Sequence, residues 1–445
     1  MYNQFVTKLL RCCLLAILVF SFSCQPDDKE ESSSKPTADF SAELPQEWMT
    51  QAYNSVKRTG LFALDASRVY AYTAITMYES MVHGMPGYRS LEGQLNGLTN
   101  LPKPDPNKRY DWGIVICHAT PQVIAELTPN ISAGTVFSLQ ATADRQADNL
   151  VLQNGLDQEV MKNSKDFADQ LALAILQWAA SDGRASVGNK NYTERSRVGN
   201  PQFWTGATLS QQYMLPYWWE SRPLAIERAQ VCQPAAPYEY STDPNSAYYK
   251  DVKEVLDASF DPAKVEIGRY WANNPGVSGS PAGSWIGIAN QLVDQFDMDI
   301  QTTLKMYVLL ACSTRDGFIS CWYSKYTYNL QRPVTYIREV INQQNWASPV
   351  PTPPYPDYTS GTSVNAGASS RILTHLFGSR SFTDAQHTDK GFAPRKFNNF
   401  RDAGTEAFHS RIYGGVHMRR ACEEGFKQGT CIADLLIEKI KFEQK

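Results

Sequence analysis

From Gln46 onward the chain is dominated by apolar residues recurring every three or four positions, which restricts it to folds built by packing helices. In "LDASRVYAYTAITMYESMV", Leu64, Ser67, Ala71, Ala74, Met77, Tyr78 and Met81 share one helical face with few charges between them. "SKDFADQLALAILQWAAS" repeats the pattern, and both read as core helices. Alternating strand-like runs are scarce. The fold class expected is therefore all-α, with helical bundles and extended loops. Between Gly188 and Pro244 the text changes to Pro, Gly, Asn and aromatics, as in "FWTGATLSQQYMLPYWWESRP", and reads as ordered loop covering something. Helical patterns resume at "NSAYYKDVKEVLDAS".

At 445 residues with 42% apolar and 12% aromatic side chains, the chain can bury a sizeable core. The formal charge of −3, without a Lys/Arg stripe, gives no reason to propose nucleic acid as a partner. The start differs: Lys8 and Arg11 precede "CCLLAILVFSFS", which meets Cys24. A dozen apolar residues are too few for an ordinary membrane span, which needs about 20, and suit a signal peptide. The cysteine after it resembles a bacterial lipoprotein signal, although Phe22 stands where a small residue is commoner; ordinary secretion with Cys24 incidental is the alternative. The organisation expected is a signal at 1–23, an acidic tether at 24–42, an N-terminal helical region at 43–250 and a C-terminal one at 251–445. That order implies a cell-envelope protein held to a membrane by a lipid on Cys24. Cys117, Cys232, Cys312, Cys321, Cys422 and Cys431 lie at wide irregular spacings without a CxxC, so no zinc site is implied. Buried free thiols are at least as good a reading of them as disulfides.

The chemistry lies in the last third. "LLACSTRDGFISCWYSKYTYNLQRPVTYI" sets Lys325 and Arg332 seven residues apart, about two helical turns, on what reads as one helix ending near Pro333. Two such cations buried together need a carboxylate or a bound anion between them, while a solvated helix end is the plain alternative. In "YPDYTSGTSVNAG", Ser360, Gly361 and the amides that follow suit a helix N-terminus, a ready oxyanion site. "RDAGTEAFHSRIYGGVHMRRACEEGFKQG" places Arg411 and His417 six apart, with Gly414 and Gly415 between them permitting close backbone approach. Cations, amides, a hydroxyl and an imidazole together describe a site for a tetrahedral, phosphate-like anion.

"KYTYNLQRP", "YTSGTS" and "SRIYGGVH" resemble the three ordered motifs of the vanadium-dependent haloperoxidase and type 2 phosphatidic acid phosphatase superfamily: K-x6-R-P, P-S-G-H and S-R-x5-H-x3-D. "PYWWESRP" and "PPYPDYTSG" look more like the soluble haloperoxidase branch. The resemblance implies that Lys325, Arg332 and Arg411 neutralise a bound vanadate or phosphate, and that Ser360 and Gly361 hydrogen-bond its oxygens. It makes His417 the ligand of vanadium, or the nucleophile of a phosphatase. Three functions follow from it: a haloperoxidase using vanadate, hydrogen peroxide and halide; a phosphomonoesterase working through a phosphohistidine; and a non-catalytic oxyanion binder.

The chain departs from that pattern at three places. Thr362 stands where the family has its acid–base histidine, Ala421 where an aspartate orients the nucleophilic imidazole, and Thr359 where the second motif has proline. General acid–base help is worth about 10²–10⁴-fold and an orienting partner about 10–100-fold. Asp357, Tyr355, Tyr358, His409 and Glu424 are the residues near enough in sequence to be considered as substitutes.

Overall fold

The computed structural model describes residues 34–206 and 214–444. The signal segment and Cys24 lie outside the described residues. Within them the chain runs through α1 (Glu43–Thr59), α2 (Ala63–Met81), α3 (Trp112–Leu127), α4 (Ala133–Asn154), α5 (Gln158–Ala180), α6 (Arg184–Gly188), α7 (Ala247–Ala258), α8 (Pro262–Tyr270) and α9 (Ser280–Gln295). It continues through α10 (Ile300–Tyr328), α11 (Pro333–Glu339), α12 (Gly361–Phe377), α13 (Phe400–Tyr413) and α14 (Arg419–Lys439). The one sheet among the described residues pairs β1 (Phe382–Asp384) antiparallel to β2 (Arg395–Phe397), Phe382 opposite Phe397. The fold is all-α, as the periodicity requires, and no described helix is long and apolar enough to cross a membrane.

Helix starts follow local chemistry. Asp299 opens α10 by accepting the Thr302 amide at 2.6 Å, and Asp157 opens α5 by accepting that of Val160 at 2.8 Å. The long α10 is buried along most of its length and packs on α2 from the N-terminal half of the chain and on α9, α12 and α14 from the C-terminal half. Its middle carries two adjacent buried charges. Arg315 meets Asp182 at 2.9 Å, and Asp182 also takes Arg68 at 2.7 Å. Asp316 accepts three successive backbone amides, of Leu224, Ala225 and Ile226, at 2.7, 2.7 and 2.9 Å. A buried carboxylate so saturated fixes the aromatic-rich loop against the helix. The same loop closes over the C-terminus of α10, where the Trp204 amide donates to the Asn329 carbonyl at 2.7 Å.

The tether expected at 24–42 is corrected from Lys35 on, because apolar and hydroxyl groups there find buried partners. Thr37 is buried and donates to the Met81 carbonyl at 2.6 Å, Phe40 is buried, and Lys35 reaches Asn154. A disulfide joins Cys232 of the loop to Cys431 of α14, while Cys117, Cys312, Cys321 and Cys422 are free and buried. The cysteines thus divide between both readings.

Helices α12 and α14 approach backbone to backbone. A Cβ added to Gly429 would lie 1.9 Å from the Val364 carbonyl oxygen, and one on Gly425 2.8 Å from that of Ser360. Glycine is required at both, and their closeness brings the start of α12 beside the start of α14. Behind this junction lies a second, smaller core of Tyr248, Val252, Leu256, Tyr336, Ile337, Tyr358, Ile412 and Met418.

Candidate functional site

The site is assembled from three segments that each end or begin a helix. Lys325 occupies the last turn of α10 and is fully buried. Arg332 is not on that helix, contrary to the expectation of one helix reaching Pro333: Asn329, at φ 48°, takes the left-handed C-cap and stops α10 at Tyr328. Arg332 instead precedes α11, whose first residue is Pro333. The two cations meet through the extended segment 355–357. Lys325 Nζ donates to the carbonyls of Pro356 and Asp357 at 2.8 and 3.1 Å, and Arg332 Nε to that of Tyr355 at 2.7 Å. The Tyr355 ring lies beneath both, 4.9 Å from the ammonium and 4.8 Å from the guanidinium carbon.

The third segment is the turn between α13 and α14. Gly415, at φ 78°, packs on Pro349 and Ser348, and the turn folds back so that the Val416 and His417 amides both point to the Arg411 carbonyl. Arg332 Nη1 locks this turn by donating to the Val416 carbonyl at 2.7 Å. His417 is thereby held between two groups. Arg332 Nη1 lies 3.1 Å from its Nε2 and 3.4 Å from its Nδ1, and Asp357 Oδ1 lies 2.8 Å from that Nδ1. Asp357 is fully buried, and its other oxygen faces the Met418 amide at 3.4 Å.

Ser360 is the N-cap of α12, as expected: its Oγ accepts from the Ser363 amide at 3.4 Å and from the Ser363 hydroxyl at 2.9 Å. Its own amide donates to the Ala421 carbonyl at 3.0 Å, joining the second motif to the first turn of α14. Gly361 and Thr362 follow in the first turn, where a helix leaves its amides without intrahelical partners. Thr362 is half-buried and carries a hydroxyl that cannot titrate near neutrality. Thr359, in place of the family's proline, donates to Gln428 Oε1 at 2.7 Å, and Gln428 reaches Ser320 at 2.9 Å and Ser324 at 3.2 Å. This cross-link of α10, α12 and α14 escaped the sequence reading, since nothing near Thr359 in sequence signals Gln428.

Among the residues considered as substitutes, the structure brings Asp357 and Tyr355 to the site and takes three others elsewhere. Glu424 is clasped by Arg420 and Lys427 and accepts the Ala235 amide. His409 faces Arg419 at 3.3 Å and stacks on Tyr413. The Tyr358 hydroxyl donates to the Ala235 carbonyl.

Electrostatics follow from burial. It pushes Lys325 down to about 7 and holds Arg332 and Arg411 below their ordinary values. Burial also raises Asp357 to about 7, against the pull of Arg332 and Lys325. His417 falls well below its ordinary value, through burial first and then Arg332, Lys325 and Arg411, so its ring is neutral. Three buried cations face a single carboxylate, which leaves the pocket with two positive charges in excess. Arg332 Nη2 and Arg411 Nε and Nη1 are buried without a hydrogen-bond partner among the described residues. Unsatisfied guanidinium donors at this depth are costly. An anion with several oxygens would satisfy both the charge and the donors, so the residues present fit vanadate or phosphate.

Comparison with known proteins agrees. Residues 305–444 match the family model "VCPO second helical-bundle domain". A structure described as the first bacterial vanadium-dependent iodoperoxidase shares 30% identity, with 93% of this chain and 99% of that one aligned at a TM-score of 0.82. A bacterial vanadium-dependent chloroperoxidase shares the fold at 17% identity in its holo form, over 94% of this chain and 96% of that one, TM-score 0.62. Its apo form aligns 85% of this chain and 95% of that one, at 17% identity and TM-score 0.61. Comparison with curated proteins gives no match. The chain belongs to the vanadium-dependent haloperoxidase-like superfamily.

Proposed function

We propose that this chain is a vanadate-dependent haloperoxidase of the cell envelope, acting on an easily oxidised halide such as iodide. The observation that carries the reading is the buried cationic pocket with two charges in excess and three unpartnered guanidinium nitrogens around a neutral imidazole. Lys325, Arg332 and Arg411 would hold the oxyanion, with Ser360 and the Gly361 amide on its oxygens and His417 Nε2 as its protein ligand. When bound, vanadate supplies activation of hydrogen peroxide toward halide. The protein's own contribution is to exclude water, neutralise charge and keep His417 unprotonated. Thr362 contributes a hydroxyl where acid–base help is ordinarily given, which favours the halide that needs least assistance. The neighbour described as an iodoperoxidase aligns along nearly its whole length, in keeping with this choice.

Export and lipidation at Cys24 belong to the same proposal. The Cys232–Cys431 disulfide supports export, because such bonds persist in oxidising compartments. The assay is peroxide-dependent iodide oxidation by purified protein with added vanadate, omitting each component in turn. Activity that requires vanadate, and is lost in His417→Ala, is expected; turnover without vanadate, or unchanged in the variant, would overturn it. A phosphomonoesterase is the second reading, favoured by the Asp357–His417 contact that a histidine nucleophile needs. It would appear as ester hydrolysis inhibited by vanadate. Binding of either anion without turnover would instead identify a non-catalytic oxyanion binder.

A further inference from the structure

We propose that Asp357 is the positioning residue of His417, replacing from the second motif the aspartate that this chain lacks at Ala421. The inference rests on the oxyanion reading of the site and deepens it. Asp357 Oδ1 lies 2.8 Å from His417 Nδ1, both side chains are buried, and that oxygen has no hydrogen-bond partner among the described residues. Its carbonyl is held by Lys325 at 3.1 Å, and its other carboxylate oxygen faces the amide next to His417. The carboxylate is therefore fixed by groups on two other segments, α10 and the start of α14. Arg332 Nη1, which can only donate, sits 3.1 Å from Nε2 and 3.4 Å from Nδ1. Arg332 Nη1 faces both ring nitrogens and does not choose between them, whereas hydrogen on Nδ1 gives the otherwise unpartnered Oδ1 a donor and leaves the lone pair on Nε2. That tautomer presents the nitrogen an oxyanion's central atom would bond. Ala421 is free to be apolar because the orienting carboxylate arrives from across the pocket, 60 positions from the histidine in sequence.

A mere counter-ion would behave differently. Asp357→Asn removes a negative charge from a pocket that already has a positive excess. If the carboxylate served only to balance charge, every anion would bind more tightly to the variant. If it positions His417, the two anions part company: orthovanadate, which bonds to the imidazole, loses affinity, while phosphate, held by charge and hydrogen bonds alone, does not. The experiment is calorimetric titration of the whole protein and D357N with orthovanadate and with inorganic phosphate, folding being checked by circular dichroism. A 10–100-fold loss for orthovanadate, with phosphate binding unchanged or tighter, is expected. Parallel shifts of both anions, in either direction, overturn the proposal. Wild-type protein that takes up neither anion overturns the oxyanion reading and this one with it. A second measurement needs no Asp357 variant: ¹⁵N-histidine spectra of the anion-free wild type, with His417 assigned by its loss in His417→Ala, should show the Nδ1-protonated tautomer. Protonation on Nε2 instead would refute the assignment.

Discussion

Arg411→Met separates function from stability in this site. Arg411 is 5% exposed, and its Nε and Nη1 have no hydrogen-bond partner among the described residues. Each unsatisfied buried donor costs about 1–3 kcal/mol, so the pair burdens the anion-free protein by about 2–6 kcal/mol. Methionine keeps most of the apolar length and removes the charge. The folded unit spans Lys35–Lys445, and at about 2.1 cal/mol/K of unfolding entropy per residue that stabilisation raises the melting temperature by about 2–7 °C. Anion binding changes in the opposite sense. Losing one charge-assisted hydrogen bond costs about 1.5–3 kcal/mol, which weakens orthovanadate about 10–150-fold. The assay is thermal unfolding without anion, paired with calorimetric titration. A variant that melts lower and binds as tightly as the wild type would refute the argument that this guanidinium is kept for a ligand.

Two other consequences follow. Thr362→His returns an acid–base group to the first turn of α12, and iodide oxidation should rise by about 10²–10⁴-fold with orthovanadate affinity little changed; a fall in turnover would show that Thr362 is adapted to this chain. Burial holds Lys325 near 7, far under its usual 10.5, so an unfolded chain keeps that proton over a range where the folded one has released it. The anion-free protein therefore gains stability from this group as pH rises above about 7, while its hold on anions declines. Asp357, raised to about 7 by burial, adds negative charge over the same rise and acts in the same direction on binding. Sulfate, whose own charge is constant there, should bind progressively more weakly above pH 7, and Lys325→Arg should flatten the curve. A flat wild-type profile would contradict the burial of these groups.

The fold was legible because its helices announce themselves. The stripe from Leu64 to Met81 became α2 (Ala63–Met81), and Ser360 capped α12 where Ser-Gly met a run of small residues. The cationic triad was legible as motif, since spacing within a segment survives folding. Its geometry was less so. Asn329 adopts a left-handed conformation that a tyrosine-rich helical pattern does not foretell, and that single residue takes Arg332 off α10. The partner of His417 was obscured by distance along the chain: Asp357 stood among five candidates, and only packing tells it from Glu424, which Arg420 and Lys427 neutralise. The roles of Asp182, Arg315 and Asp316 are hidden in the sequence for the same reason, since helical periodicity cannot distinguish a buried ion pair from a solvated one.

Calorimetric titration of the protein with orthovanadate, beside His417→Ala, decides whether the buried pocket holds a tetrahedral oxyanion against His417. Saturable one-to-one binding in the wild type, weakened at least tenfold in the variant, is what the excess positive charge and the neutral imidazole require. No binding, or equal binding by both proteins, would mean that Lys325, Arg332 and Arg411 are satisfied without a ligand and that the site does not bind through His417.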